Sequence, residues 1–372
     1  MAEGVKIRVL EVLASLRRAG AERVAVSLAT GLDPARFECE VVSLFDAFSG
    51  GFEPLLQAAK IRVHHLGKRP GLDLRIFARL ASAIRTFRPE IVHTHSYVLR
   101  YALPARLLTG GGRIVHTVHN QAQLETGDAW GPWIQRAANS AGVRTVAVSF
   151  SVAQSYRELY RRPPDTVICN GIDLDRFRPS IGTWKSANGF SSTDRLVVSV
   201  ARLEPQKNPL ALIGAFTTAL GGDPAWHLLM VGDGTLRSEA ESRAESLGME
   251  TRIHFLGVRD DVDALLPECD IFAMASQWEG MPMAIIEAMA AGLPVVATEV
   301  DGVAELVTHN TGLRVPAGET SPMAEALATL ARDPRMRYEL GRAAREDALA
   351  FGVDRMVDGY ARLFTSLAGD DV

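Results

Sequence analysis

Residues 270–299 read DIFAMASQWEGMPMAIIEAMAAGLPVVATE. Within them, residues 271–275 are a short apolar run suited to a buried strand, and residues 276–280 read as the loop that follows. Pro282 fits the first position of a helix, where its missing N–H costs nothing. That helix is expected to end at Gly292, and LPVVATE opens the next strand. Strand, loop, helix and strand in so short a span is the repeating unit of a parallel sheet covered on both faces.

Outward from this segment the same alternation recurs. RLVVSVAR (195–202), HLLMVG (227–232), RIHFLG (252–257) and TGLRVP (311–316) are further strand candidates with helical stretches between them. An earlier series runs through IRVLEV (7–12), ECEVVSL (38–44), IRVHHL (61–66), EIVHTH (90–95), RIVHTVH (113–119), RTVAVS (144–149) and DTVICN (165–170). Between the two series, DRFRPSIGTWKSANGFSSTD (175–194) is rich in Pro, Gly, Ser and Asn and has no periodicity, which reads as a linker. The expected organisation is an N-terminal Rossmann-like domain over 1–175, a linker over 176–194, a second Rossmann-like domain over 195–353, and a final helix, 354–372, packing back on the first domain. Ligands of open parallel sheets bind beyond the carboxyl ends of the strands. Two such sheets facing each other would form a cleft.

Composition agrees with a folded two-domain protein: 372 residues, 47% hydrophobic and 23% charged. Charged Lys6, Arg8 and Glu11 interrupt the start where an export signal would be apolar, and no apolar run reaches the ~20 residues of a spanning helix. Cys39, Cys169 and Cys269 lack the spacing of a zinc site or disulfide frame and read as thiols of a reducing compartment, the cytoplasm. Residues 1–175 hold 22 Lys/Arg against 16 Asp/Glu, while the remainder holds 18 against 28. Much of the basic excess lies in 68–90 and 106–113, an amphipathic region able to rest on anionic lipid at the inner membrane face. The plain alternative is a solvated helix face. An acidic chain with few aromatics among its arginines does not read as a nucleic-acid binder.

The chemistry is carried by two segments. In 270–299, the unpaired N–H groups of residues near Gly280, Met281, Pro282 and Met283, with the positive end of the helix dipole, make an anion site. Glu279 lies at the loop and Glu287 little more than a turn into the helix. A carboxylate within MPMAIIEAMAA must find donors, and a ribose offers two hydroxyls. In RLVVSVARLEPQKNP (195–209), Arg202 and Lys207 follow a buried strand around a Pro-containing turn. Two cations and a helix N-terminus suit a diphosphate leaving group. Singly, each of these features would read as ordinary: a surface salt bridge for Glu287, solvated charges for Arg202 and Lys207.

These segments resemble the retaining glycosyltransferases of family 4, which have the GT-B fold. The resemblance spans nearly the whole chain: AGAERVA (19–25), TVHN (117–120), NGIDLDRF (170–177), ARLEPQKNP (201–209), VGDG (231–234), IHFLG (253–257), and the E-x7-E pair Glu279 and Glu287. It implies that Arg202 and Lys207 bind the donor pyrophosphate, Glu287 the ribose and Glu279 the transferred sugar. Backbone near Val258 would meet the base, His119 would touch the sugar, and Gly20 would admit the phosphates. The family commonly has two glycines before Ala-Glu, where this chain has Ala19 and Gly20. His95, at a strand end, is a candidate acceptor contact or a plain strand-end histidine. Loops 44–54 and 121–131 are candidates for acceptor recognition. No well-placed Asp-x-Asp pair is present, so the expected donor is a UDP- or GDP-linked sugar used without a metal or other cofactor. The acceptor is left open, lipid-linked ones included. A sugar-nucleotide epimerase, a phosphorylase and a non-catalytic nucleotide-sugar binder remain as alternatives. A dehydrogenase is disfavoured because no strand is followed by GxGxxG.

Overall fold

The computed structural model describes residues 6–48, 50–125, 129–178 and 182–369. The chain divides into two compact units, Met1–Gly171 with Val353–Val372, and Ile172–Gly352. Each is built on a parallel sheet of Rossmann type.

In the first unit, strands β1 (Ile7–Leu13), β2 (Phe37–Ser43), β3 (Arg62–His65), β4 (Ile91–His95), β5 (Arg113–Val118), β6 (Arg144–Ala147) and β7 (Thr166–Val167) take the order β3-β2-β1-β4-β5-β6-β7. Successive strand residues point to opposite faces. Leu10, Val12, Val42 and Val92 meet Ile76, Leu80, Ile84 and Tyr101 on one face. Leu13 and Val41 meet Ala25, Val26 and Ala29 of the helix Gly20–Gly31 on the other. The chain's last helix, Val353–Gly369, belongs to this unit, beside Gly20–Gly31 and over β1 and β4. Met356, Tyr360, Phe364 and Leu367 form its buried stripe, a spacing that keeps one helix face inward. Fully burying one such large apolar side chain contributes about 1.5–3 kcal/mol. The two helices lie so close that a Cβ on Gly31 would come 2.8 Å from a Val357 methyl.

The basic segment 68–90 contains an ion pair at the head of its helix. Asp73 takes both guanidinium arms of Arg75, which holds its carboxyl far below the usual carboxylate range. The helix there is Arg75–Phe87, with Ile76, Leu80, Ala81 and Ile84 inward.

In the second unit, β8 (Arg195–Val200), β9 (Trp226–Val231), β10 (Ile253–Gly257), β11 (Ile271–Met274), β12 (Val295–Thr298) and β13 (Gly312–Val315) take the order β10-β9-β8-β11-β12-β13. Its two ends are paired, with the Ile172 amide donating to the Phe351 carbonyl at 2.9 Å. The expected linker is corrected here. Residues 179–181 lie outside the described residues, but from Gly182 to Asp194 the segment packs on the second unit. Trp184 is buried with its indole N–H on Asp261, and the amides of Trp184 and Lys185 donate to Glu268. Polar, glycine-rich composition concealed a segment held by three hydrogen bonds and one tryptophan. The boundary between the units likewise falls at Gly171 rather than at residue 175.

Candidate functional site

Strand order reverses between β8 and β11 in the second unit, the place where the loops at the carboxyl ends of a parallel sheet diverge and leave room for a ligand. The loop after β8 turns through Pro205–Lys207, and Asn208, in the left-handed region at φ 47°, starts the helix Pro209–Leu220. Gln206 stitches this loop to the one after β11. Its carbonyl accepts from the Gln277 amide and its side-chain amide donates to the Trp278 carbonyl, both at 2.8 Å. Lys207 Nζ forms an ion pair with Glu279 Oε1, and Ser276 Oγ donates to that same oxygen at 2.6 Å. Thr298, at the end of β12, donates to the Ser276 carbonyl. The Glu279 carboxylate is therefore buried, paired and aimed by three elements.

Arg202 is exposed at the mouth of the same loop, with Gln206 Oε1 at 3.5 Å. Glu204 turns away from the pair and takes the amide and hydroxyl of Thr235, which hold its carboxyl below the ordinary range. Two glycines of VGDG allow this packing. A Cβ on Gly232 would stand 2.0 Å from the Ala201 carbonyl oxygen, and one on Gly234 would stand 2.5 Å from that of Leu203.

The helix expected from Pro282 starts at Met283, with Pro282 as its extended N-cap, and ends at Ala290 before Gly292 turns the chain at φ 80°. An N-cap proline has no side-chain acceptor, so Pro282 makes no side-chain cap bond to the first-turn amides. Gly280, Met281, Pro282, Met283 and Glu287 are all buried. Gly280 is gripped from behind, since a Cβ on Gly302 would lie 2.1 Å from its carbonyl oxygen. Val258, just past β10, is 65% exposed. The carboxyl ends of β8 and β11 thus collect a guanidinium, an ammonium–carboxylate pair and a helix N-terminus with a proline cap, a set that binds anionic oxygens and hydroxyls.

In the first unit the strand order reverses between β1 and β4. Here Glu11 stands opposite His93, and His95 opposite Thr117. Glu11 Oε1 is 3.0 Å from His93 Nδ1, and Glu11 Oε2 is 3.0 Å from His95 Nε2. His95 Nδ1 is 2.8 Å from His119 Nε2. His93 Nε2 continues to Thr117 Oγ1 and from there to Tyr360 Oη, each step 2.8 Å. Burial raises the Glu11 carboxyl and lowers His93, His95 and His119 to about 3, so the rings are neutral. Ligand atoms of Glu11, His93 and His95 lie close enough to hold a metal ion, but the same atoms hydrogen-bond one another, which accounts for the cluster without an ion.

The expectation for His95 as an acceptor contact is corrected. It is 2% exposed and both its ring nitrogens are taken, leaving none for a ligand. His119 is half-buried, and Glu125 fixes its backbone: the amides of His119 and Asn120 donate to that carboxyl at 3.1 and 2.7 Å. Burial pushes Glu125 up to about 8. Ser96, whose side chain reaches Glu125, sits in the left-handed region at φ 51°. Gly20 is exposed at the first position of Gly20–Gly31, whose N-cap Ala19 gives no side-chain bond. Of the candidate acceptor loops, Ser49 and residues 126–128 lie outside the described residues.

Sequence reasoning missed Glu11, His93, Glu125, Ser276 and Gln206. A carboxylate in the middle of IRVLEVL and histidines alternating in EIVHTH were the available signals, because a buried strand has no other reason to hold them.

Comparison with known proteins also divides the chain in two. Residues 18–176 match the family described as Glycosyltransferase Family 4, and residues 180–347 match Glycosyl transferases group 1. The UDP-Gal:alpha-D-GlcNAc-diphosphoundecaprenol alpha-1,3-galactosyltransferase of Escherichia coli is 27% identical over 310 residues, covering 79% of this chain and 80% of that protein. The N-acetyl-alpha-D-glucosaminyl L-malate synthase of Bacillus anthracis is 26% identical over 313 residues, covering 81% of each. The crystal structure of Anabaena HepE in complex with UDP and glucose superposes with a TM-score of 0.85 at 23% identity, covering 97% of this chain and all of that one, a likeness of fold.

Proposed function

Because this chain belongs to the glycosyl transferases of group 1, family 4, with the GT-B fold, we propose that it moves a hexosyl group from a UDP- or GDP-linked sugar to an acceptor hydroxyl with retention at the anomeric carbon. It is a nucleotide-sugar-dependent transferase of glycoconjugate synthesis. The observation that carries the finer reading is the Lys207–Glu279 pair, with Ser276 on the same carboxylate, at the strand-order reversal of the second unit.

Arg202, Lys207 and the N-terminus of the helix Met283–Ala290 hold the diphosphate, Glu287 takes the ribose hydroxyls, and backbone at Val258 meets the base. Glu279 orients the sugar; of the first unit's residues, His119 is assigned to the sugar and Gly20 to the phosphates. In transfer, the acceptor oxygen bonds to the anomeric carbon while the bond from that carbon to the diphosphate breaks. The acceptor proton passes to the leaving phosphate oxygen on the same face. The protein contributes charge where the diphosphate develops it, a role open to a divalent ion in other enzymes. The reading includes no metal or other cofactor.

Acceptors differ between relatives of equal similarity, one named for a diphosphoundecaprenol-linked sugar and one for L-malate. Attachment to anionic membrane at the cytoplasmic face is part of this reading, supported by the basic first half and by Trp130, Trp133 and Phe150, each about 70% exposed.

The test is a panel of nucleoside diphosphate sugars assayed for transfer and donor hydrolysis in EDTA. One donor should turn over, and Arg202→Ala or Lys207→Ala should each lower turnover by roughly 10²-fold with the fold intact. Near-normal turnover in both variants, or activity restored only by magnesium or manganese, would refute the reading.

A further inference from the structure

Four polar side chains on one sheet face, Glu11, His93, His95 and Thr117, are at most 2% exposed. A buried strand gains nothing from such residues unless every donor meets an acceptor, so the direction of each bond is constrained by the next. Each neutral imidazole has one N–H and one bare nitrogen. The contact between His95 Nδ1 and His119 Nε2 therefore admits one proton only, and whichever ring supplies it sets the outer nitrogen of His119.

We propose that Glu11, acting through His95, fixes the tautomer of His119. Glu11 accepts from Nε2–H of His95, whose bare Nδ1 accepts from Nε2–H of His119, so Nδ1 of His119 is the unprotonated nitrogen and accepts from a hydroxyl of the transferred sugar. The sugar contact rests on the proposed function; the tautomer rests on the first unit alone.

The two branches from Glu11 differ in a way that supports this direction. Toward His93, the chain ends in two hydroxyls, Thr117 and Tyr360, either of which can rotate to donate or accept. A proton held on Glu11 by burial is accommodated on Oε1, facing His93, by turning those hydroxyls. The branch to His119 contains rings only, and reversing it would require Glu11 to donate to His95. Of the other groups near this carboxyl, the Cys39 thiol on β2 and the Tyr360 phenol are both pushed up by burial and stay protonated, so neither competes as an anion. Glu125 fixes the backbone of His119 while His95 fixes its ring. Glu11 and His95 are positioning residues, since neither reaches a ligand.

The full-length protein labelled with ¹⁵N-histidine tests this by long-range nitrogen–proton correlation, which distinguishes bare from protonated ring nitrogens. The expected result is a protonated Nε2 and a bare Nδ1 on His119. His95→Phe keeps a ring in place without nitrogens. It should move both His119 nitrogens toward the averaged values of a free imidazole and lower kcat by roughly tenfold to hundredfold. KM for the donor and affinity for UDP should change little. A proton on Nδ1 of wild-type His119, or a His119 signal unmoved by His95→Phe, overturns the proposal. The wild-type spectrum decides even if that variant does not fold. Normal transfer by His119→Ala would remove the sugar contact and leave the tautomer assignment standing.

Discussion

Glu279 and Glu287 are both buried, but only Glu279 is held by Lys207 and Ser276 on a loop, while Glu287 belongs to a helix. Their replacements should therefore separate. Glu287→Gln removes a charged acceptor for ribose and should weaken binding of the nucleoside diphosphate by about 1.5–3 kcal/mol, read by calorimetry. Glu279→Gln should leave that binding nearly unchanged and lower transfer steeply; equal weakening by both would assign the loop a structural role. A second outcome concerns Glu125, whose carboxyl rises from 4.5 to about 8 on folding. Above pH 4.5 the unfolded chain releases this proton and the folded one keeps it, so the stability it contributes, full below 4.5, is lost as pH rises toward 8. Denaturation midpoints of wild type and Glu125→Gln across that range should converge or cross toward pH 8 and run parallel above it. A constant offset from pH 4.5 to 8 would show that Glu125 ionises normally. Arg202 with Lys207, and Glu279 with Glu287, could be picked out in sequence because each pair lies within one short segment. Glu11 could not, because its partners His93 and His95 come from another strand, and Glu125 could not, because it binds the backbone amides of His119 and Asn120, which leave no mark on residue type.

At the scale of elements, the strands and most helices were readable from apolar runs and their alternation. The errors fell where backbone geometry or a single anchor decides. Pro282 serves as N-cap rather than first helical residue because its ψ of 108° is extended. The stretch read as a linker is held by Trp184 and Glu268, whose contacts span more than eighty residues of sequence. Glycines carry a related lesson. Gly302 opens the short helix Asp301–Ala304 and presses on the Gly280 carbonyl, so it is required by contact rather than by a left-handed φ. Gly302→Ala must push the loop 276–282 forward. UDP affinity should fall by roughly tenfold or more, with a loss of stability of about 1–3 kcal/mol typical of overpacking. Wild-type affinity and melting temperature together would mean the loop yields without consequence.

Over the whole molecule, charge is the property that composition alone made visible: a basic first half and an acidic second half. No described helix is long and apolar enough to cross a membrane. Sedimentation with vesicles containing anionic lipid should carry the protein down at low ionic strength and release it as salt rises, since screening shortens electrostatic reach to about 8 Å at 0.15 M. Failure to sediment at low salt would point to a soluble acceptor. The first unit is discontinuous, because its last helix is separated from its sheet by the entire second unit. That has a consequence during synthesis. Thr117 leaves the ribosome 243 residues ahead of its partner Tyr360, a delay of roughly 12–50 s at about 5–20 residues per second. Until then His93 and Thr117 on the sheet lack the cover of Tyr360 and Phe364, while Ile172–Gly352 already has both its ends and can finish first. The nascent chain therefore completes its units in reverse order of translation, and its early half is the part left uncovered longest.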